Sequence, residues 1–381
     1  MFRAKCCQRL AKPPNRSFST ATSSIKDQRN QFLKKIYAPF RDLTAGSPEY
    51  EALAATGTVW EDYFKPSNIS PYLKAQSELK NSLAEIDRWK PLHGHRDARP
   101  ELARALVTEY SHQSCAIEAN PLSLGDGIAI RDGLNGAGAL DFPPEVLADP
   151  LDQERILRLA APLPSPESLL PNKDRNHVAE LRNHMFAYQL VVDRALHARC
   201  TNTDTAGMDL DTVKLVSRLL LTDTDSEALY SKAWGGPTAL GDFRKLPIMV
   251  RSNPLRVFPY PQEVPAIVDR FFKWRDIQHR QGTLHPLILA TKICVYFVHI
   301  HPFLDGNGRT SRLLMADYLV RRGLLPVVFQ NLERREYLQM ISDAEDGDPM
   351  ELCESVVATQ LDMLWSTGVS KPVEVDVWLG G

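Results

Sequence analysis

The chain has 381 residues and a formal net charge of −2, and no strongly basic stripe lies beyond its first residues, so nothing in its charge supports nucleic-acid binding. Its longest apolar stretch, residues 287–298, contains Lys292 and is too short to span a bilayer, so no membrane partner is expected. Six cysteines occur without a Cys-x-x-Cys pair, which indicates neither a zinc site nor a disulfide framework.

Residues 1–26 differ from the rest. Arg3, Lys5, Arg9, Lys12, Arg16 and Lys26 are basic, serines and threonines cluster at positions 17–24, and no acidic residue precedes Asp27. That is transit-peptide composition, and it predicts a mitochondrial destination. Residues 27–131 read as helices separated by Pro and Gly. Within them Ser114-Cys115-Ala116-Ile117-Glu118-Ala119-Asn120 puts a glutamate near the end of a helix that Asn120-Pro121 should stop. A glutamate there can pair with an arginine elsewhere. Residues 132–175, rich in Gly, Pro, Leu and Asp, read as an insertion or linker.

Beyond Gly241-Asp242-Phe243-Arg244, two short apolar runs at residues 246–250 and 255–260 flank Ser252-Asn253-Pro254 and predict a β-hairpin. Pro247 and Pro254 would limit its ladder, as at a sheet edge. Leu287, Ile288, Thr291, Cys294, Val295 and Val298 then recur at three- and four-residue spacing, predicting a buried helix that ends near His299 or His301. A second helix is expected over residues 309–322, stopped near Gly323 and Pro326.

The junction His301-Pro302-Phe303-Leu304-Asp305-Gly306-Asn307-Gly308-Arg309-Thr310-Ser311-Arg312 carries the most chemistry. Gly306 and Gly308 permit a tight turn. The helix start behind them has unpaired N–H groups and a positive dipole end, which together suit an anion. Arg309 and Arg312 share a helix face and present planar forks suited to phosphate oxygens. Asp305 can hold Mg²⁺, which takes one or two carboxylates and completes its shell with phosphate and water. His301 is left free as a base. An EF-hand register would put His301 or Phe303 at the first ligand position, and Gly-Arg-Thr is not the Gly-Lys-Ser/Thr of a P-loop, so both readings fail. A metal hydrolase using His299, His301 and Asp305 is disfavoured, because residues two apart on a helix face different ways.

This run resembles the signature of the Fic (Fic/DOC, Fido domain) family, His-x-Phe-x-(Asp/Glu)-Gly-Asn-Gly-Arg-x-x-Arg, and matches it at every specified position. The resemblance implies an all-α Fic-fold helical bundle with a small β-hairpin flap and an N-terminal helical extension. Its catalytic core would span residues 176–368, with a tail over 369–381. It implies a nucleotidyltransferase, a protein adenylyltransferase moving AMP from Mg·ATP to a Ser, Thr or Tyr hydroxyl of a target protein bound along the flap. His301 would be the general base, Asp305 the Mg²⁺ ligand, Gly306, Asn307 and Gly308 the anion hole, and Arg309 and Arg312 the phosphate ligands. Tyr337 is expected to contact the nucleotide base. The upstream motif is similar to the family's inhibitory helix, here about residues 101–119, and implies that Glu118 pairs with Arg312. It departs at Ala119, where Gly or Asn is usual; a left-handed backbone there would cost more with Ala. A homodimer, removal of AMP from a modified protein on the same site, another phosphate-containing donor, and a non-catalytic binding module all stay open. Intact His301 and Asp305 argue against the last.

Overall fold

The computed structural model describes residues 24–89, 97–148, 152–232, 238–250, 253–329 and 332–366. Most of the basic leader and all of the tail over 369–381 lie outside them. Among the described residues the chain is all α-helix, with one 3-10 turn and no strand. The N-terminal region comprises α1 (Ile25–Ile36), α2 (Pro48–Thr56), α3 (Thr58–Phe64), α4 (Ser70–Glu78), α5 (Lys80–Arg88) and α6 (Arg99–Ala105). After it come α7 (Val107–Ile117), α8 (Leu124–Gly136) and the short α9 (Pro144–Leu147), α10 (Gln153–Ala160) and α11 (Pro166–Leu169). The remainder is α12 (Arg175–Cys200), α13 (Leu210–Leu221), α14 (Asp225–Lys232), α15 (Val264–Gln281), α16 (Pro286–Ile300), α17 (Asn307–Arg321), α18 (Arg334–Glu345) and α19 (Met350–Ser366). No helix among the described residues is long and apolar enough to cross a membrane.

Helices α12, α16 and α17 pack together at the centre, and the others wrap them. Asp174 starts α12 by accepting the His177 N–H at 3.1 Å, which satisfies one of the donors a helix start leaves unpaired. Between positions 178 and 198 nearly every α12 side chain is buried, so its polar residues must find partners inside. Arg182 donates to the Pro164 carbonyl at 2.9 Å and pairs with Asp223 at 3.2 Å, while Asp193 accepts from Gln189 at 2.9 Å and Arg104 at 2.6 Å. Helix α16 opens with Pro286 behind the cap residue His285, a position where the missing N–H costs nothing.

Two stretches fold differently from a simple reading. The segment expected as one inhibitory helix is two, α6 and α7, divided at Leu106. The described residues of 132–175 hold the end of α8 and the short α9, α10 and α11, with Val146 and Ile156 buried against Phe186 and Leu190 of α12 and Leu215 and Leu219 of α13.

The expected β-hairpin flap is not formed among the described residues: residues 246–250 and 253–260 run without strand pairing. Prolines at 247 and 254 lack ladder donors, and side chains take the backbone groups that a partner strand would use. Arg29 of α1 donates to the carbonyls of Pro254 and Arg256, each at 2.7 Å. Trp60 Nε1 donates to Val257 at 3.0 Å, and Tyr37 Oη accepts the Tyr260 N–H at 3.1 Å while its ring stacks on that of Tyr260. The two runs are joined instead through Arg244, which donates to Leu246 O at 3.1 Å and Pro259 O at 2.7 Å.

Candidate active site

The loop between α16 and α17 begins with a left-handed residue that is not glycine. His301 has φ 53° and ψ 59°, a conformation costing roughly 1–2 kcal/mol for an L-residue. Three contacts hold it there: its N–H donates to Phe297 O at 3.2 Å, its carbonyl accepts Arg244 Nε at 2.7 Å, and its Nδ1 lies 3.1 Å from Val298 O. A carbonyl can only accept, so Nδ1 carries the proton and Nε2 keeps its lone pair. Burial lowers the imidazole to about 4, so the ring is neutral at ordinary pH. This is the tautomer and charge state that a base needs.

Asn307 braces the loop from within. Its side chain accepts the Phe303 N–H at 2.9 Å and returns a donor to Phe303 O at 2.9 Å. Its amide is therefore spent on the turn, and what Asn307, Gly308 and Arg309 present outward is backbone N–H at the start of α17. Gly306, at φ 77°, takes the left-handed turn that starts the helix.

Asp305 stands behind these groups. Its carboxylate accepts from Ser226 Oγ at 2.5 Å and from the Gly306 N–H at 2.6 Å, and pairs with Arg309 at 3.2 Å. Burial pushes the carboxyl upward, but Arg309, Ser226 and the Gly306 N–H outweigh it and hold the group below its usual range. It stays ionised, the form a cation would require. Arg309, 2% exposed, lies between Asp305 and Glu180 of α12, the latter at 3.5 Å, and its Nε and Nη1 have no hydrogen-bond partner among the described residues.

Arg312 is taken. Its Nη2 pairs with Glu118 Oε1 at 2.7 Å and donates to Ser114 O at 2.8 Å, while its Nε donates to Ser114 Oγ at 2.8 Å. Its guanidinium lies 5.5 Å from the Tyr337 ring centroid. Glu118 caps α7 in a Schellman turn: Ala119 N–H donates to Ala116 O at 2.9 Å and Asn120 N–H to Cys115 O at 3.0 Å. That turn puts Ala119 at φ 71°. The left-handed backbone forms in spite of the Cβ, at a cost of about 1 kcal/mol relative to Gly, and the Asn120 side chain anchors it by donating to His177 O and Glu180. The Glu118 carboxylate reaches the first turn of α17, where a Cβ at Gly308 would overlap its Oε1.

Glu118, His301, Asp305, Gly306, Asn307, Gly308, Arg312 and Tyr337 thus line one cleft of about 320 Å³. Arg309 is not in its lining and acts from behind, through Asp305. Sequence reasoning missed Ser226, which no motif marks, and the role of Arg244, whose clue was a basic residue between apolar runs. It also missed His184 of α12, fully buried between Ser111 and Ser114 at 3.1 and 2.8 Å. Ser114 Oγ, which accepts from Arg312, is thus also hydrogen-bonded to His184, and burial keeps that ring neutral. In NMR titration of the protein without nucleotide, His301 should protonate near pH 4, against about 6.5 for a solvated imidazole; a midpoint at or above 6 would mean that the ring is solvated and the buried-base reading is wrong.

Residues 207–319 match the model of the Fic/DOC family. The chain is similar to "Protein adenylyltransferase Fic" of Drosophila yakuba and of Drosophila melanogaster, 36% identical over 148 residues in each case, which is 37% of this chain. It spans only 29% of the length of either relative. Among solved structures it is similar to a Fic domain containing signaling protein from Bacteroides thetaiotaomicron, with TM-score 0.51, 18% identity and coverage of 76% of this chain and all of that one. Fic-1 (residues 134–508) from C. elegans gives 0.50 at 17% identity, covering 91% and 96%. The signature loop lies within the matched residues, so residues 207–319 are similar to a Fic/DOC family domain.

Proposed function

We propose that this site transfers AMP from ATP to a Ser, Thr or Tyr hydroxyl of a protein target, and that Glu118 restrains it. One observation carries the reading: a histidine with a free Nε2 shares a cleft with an anion-binding helix start whose arginine is held by a carboxylate. The matched relatives are named protein adenylyltransferases, which agrees with it.

His301 Nε2 takes the proton of the target hydroxyl as the oxygen bonds to the α-phosphorus, and the bond to the leaving pyrophosphate breaks with its electron pair. General-base help of this kind contributes ~10²–10⁴-fold. The N–H groups of Asn307 and Gly308 and the guanidinium of Arg312 hold phosphate oxygens, where fixed donors are most effective. Asp305 fits Mg²⁺ in that it is kept ionised and borders the cleft. When bound, that ion supplies positive charge against the phosphates. Tyr337, with Leu338 and Ile341, offers a wall for the base. While Glu118 holds Arg312 and leans over Gly308, the terminal phosphate has neither.

Labelled nucleotides and cell extract test this directly. Glu118→Gly should raise transfer and self-modification by tenfold or more, Arg312→Ala should lower it in that background, and His301→Ala should abolish transfer while nucleotide still binds. A wild type already as fast as Glu118→Gly would remove the brake, and undiminished labelling by His301→Ala would remove the base. The released variant should also melt earlier, since it leaves a buried guanidinium unpaired, a loss of about 3–5 kcal/mol at most.

The target is proposed to lie along residues 246–250, where Met249 is exposed and Val250 borders the cleft, pairing through its backbone as an added strand. Met249→Pro should then impair transfer to protein more than nucleotide binding; equal loss of both would point to misfolding instead.

The basic, serine-rich leader supports import into mitochondria. A fluorescent fusion to residues 1–26 should reach that organelle, and diffuse fluorescence with an intact Met1 end would refute it.

A further inference from the structure

A second cavity, of about 220 Å³, lies on the other side of α16 from His301, between the start of α4 and the junction of α18 and α19. His299 and His301 are two positions apart and face different ways, so His299 lines this cavity while His301 lines the active-site cleft.

Three buried donors face the space. Lys292 is 5% exposed, and its Nζ makes no hydrogen bond or ion pair among the described residues; it lies 4.6 Å from the Tyr72 ring centroid and 5.9 Å from that of Tyr296. The Tyr72 hydroxyl and His299 Nε2, on residues 1% and 2% exposed, have no hydrogen-bond partner among the described residues. Glu345 also borders the cavity, but its carboxylate is taken by Arg256 at 3.0 Å. Buried polar groups are as a rule paired, and three unpaired donors on residues lining one cavity call for an acceptor; the carboxylate beside them, Glu345, is engaged by Arg256.

We propose that this cavity binds a small carboxylate. One oxygen would accept from Lys292 and the other from Tyr72, with the Nε2–H tautomer of His299 completing the set, while the rings of Phe64 and Tyr296 face the apolar remainder. Burial holds the Lys292 amine down at about 7, with Cys353 and Glu345 pulling the other way, and an anion against it would restore full protonation. The rim carboxylates of Glu345 and Asp346 disfavour a doubly charged phosphate, and the volume excludes a nucleotide. Access is provided by an open cleft of about 610 Å³ that shares Asn68, Pro71 and Gly347 with the cavity and is lined further out by Lys74 and Glu78. This site stands apart from the transfer reading and does not depend on it.

The test titrates acetate, propionate, succinate and inorganic phosphate into the full chain at constant ionic strength, following the unfolding midpoint and binding calorimetry. At least one carboxylate should raise the midpoint saturably and bind with measurable heat, and phosphate should not. Lys292→Met should abolish that binding, and Tyr72→Phe, which keeps the ring, should weaken it about tenfold, as expected for one hydrogen bond to a charged group. If Lys292→Met does not fold, Tyr72→Phe decides. No saturable response to any of the three carboxylates, phosphate binding as tightly as they do, or binding unchanged in the variants would overturn the proposal.

Discussion

A guanidinium cannot shed its charge at any ordinary pH, so enclosing Arg312 at 4% exposure obliges the fold to surround it with acceptors. Most of the contacts come from α7 or its end, with Tyr337 of α18 beside them. Ser114 supplies a carbonyl and a hydroxyl, Glu118 supplies the countercharge, and Tyr110 of the same helix donates to the Arg312 carbonyl at 2.6 Å. The docking of α7 and the restraint on the site are thus one interaction. Removing a single partner of such a pair costs far more than the pair contributes, so a substitute anion would offset the loss when Glu118 lets go, and a phosphate is of the right kind.

Two histidines, His184 fully buried and His301 half-buried, show how one physical effect serves different ends. Burial depresses both His184 and His301. The neutral His184 ring is hydrogen-bonded to Ser114, whose hydroxyl also accepts from Arg312. In His301 the proton is fixed on Nδ1 by a backbone carbonyl, and the opposite nitrogen faces the cleft. The distinction lies in what each ring meets. The strain of His301 is offset by Arg244, whose one side chain binds His301 O, Leu246 O and Pro259 O, tying the His301 loop to residues 246–250 and 253–260.

Those segments depend on the N-terminal region. Arg29, Tyr37 and Trp60 satisfy backbone groups of residues 254–260, and Glu263, fully buried, accepts from both Trp60 and Tyr260 N–H. Residues 200 positions apart in sequence thereby share one small cluster in which Ile36, Phe40 and Val257 are buried.

The sequence by itself determined the site's chemistry and its immediate scaffold. The spacing of apolar residues placed α16, Gly306 and Gly308 marked the turn, and the run from His301 to Arg312 put a base, a carboxylate and an anion site within one loop, because all of these are local consequences of residue type. It also supplied Glu118 as a candidate partner of Arg312 and flagged Ala119 as the costly position. What only the tertiary structure decided was long-range. Whether Ala119 would turn left-handed depended on Asn120 reaching α12. The sending of Arg309 behind the loop toward Glu180, the placing of Ser226 on Asp305 and of Arg244 on three carbonyls, and the loss of the expected hairpin all turn on partners far away in the chain. A hydrophobic pattern can report which face is buried, but which acceptor a buried donor meets is fixed only when distant helices pack.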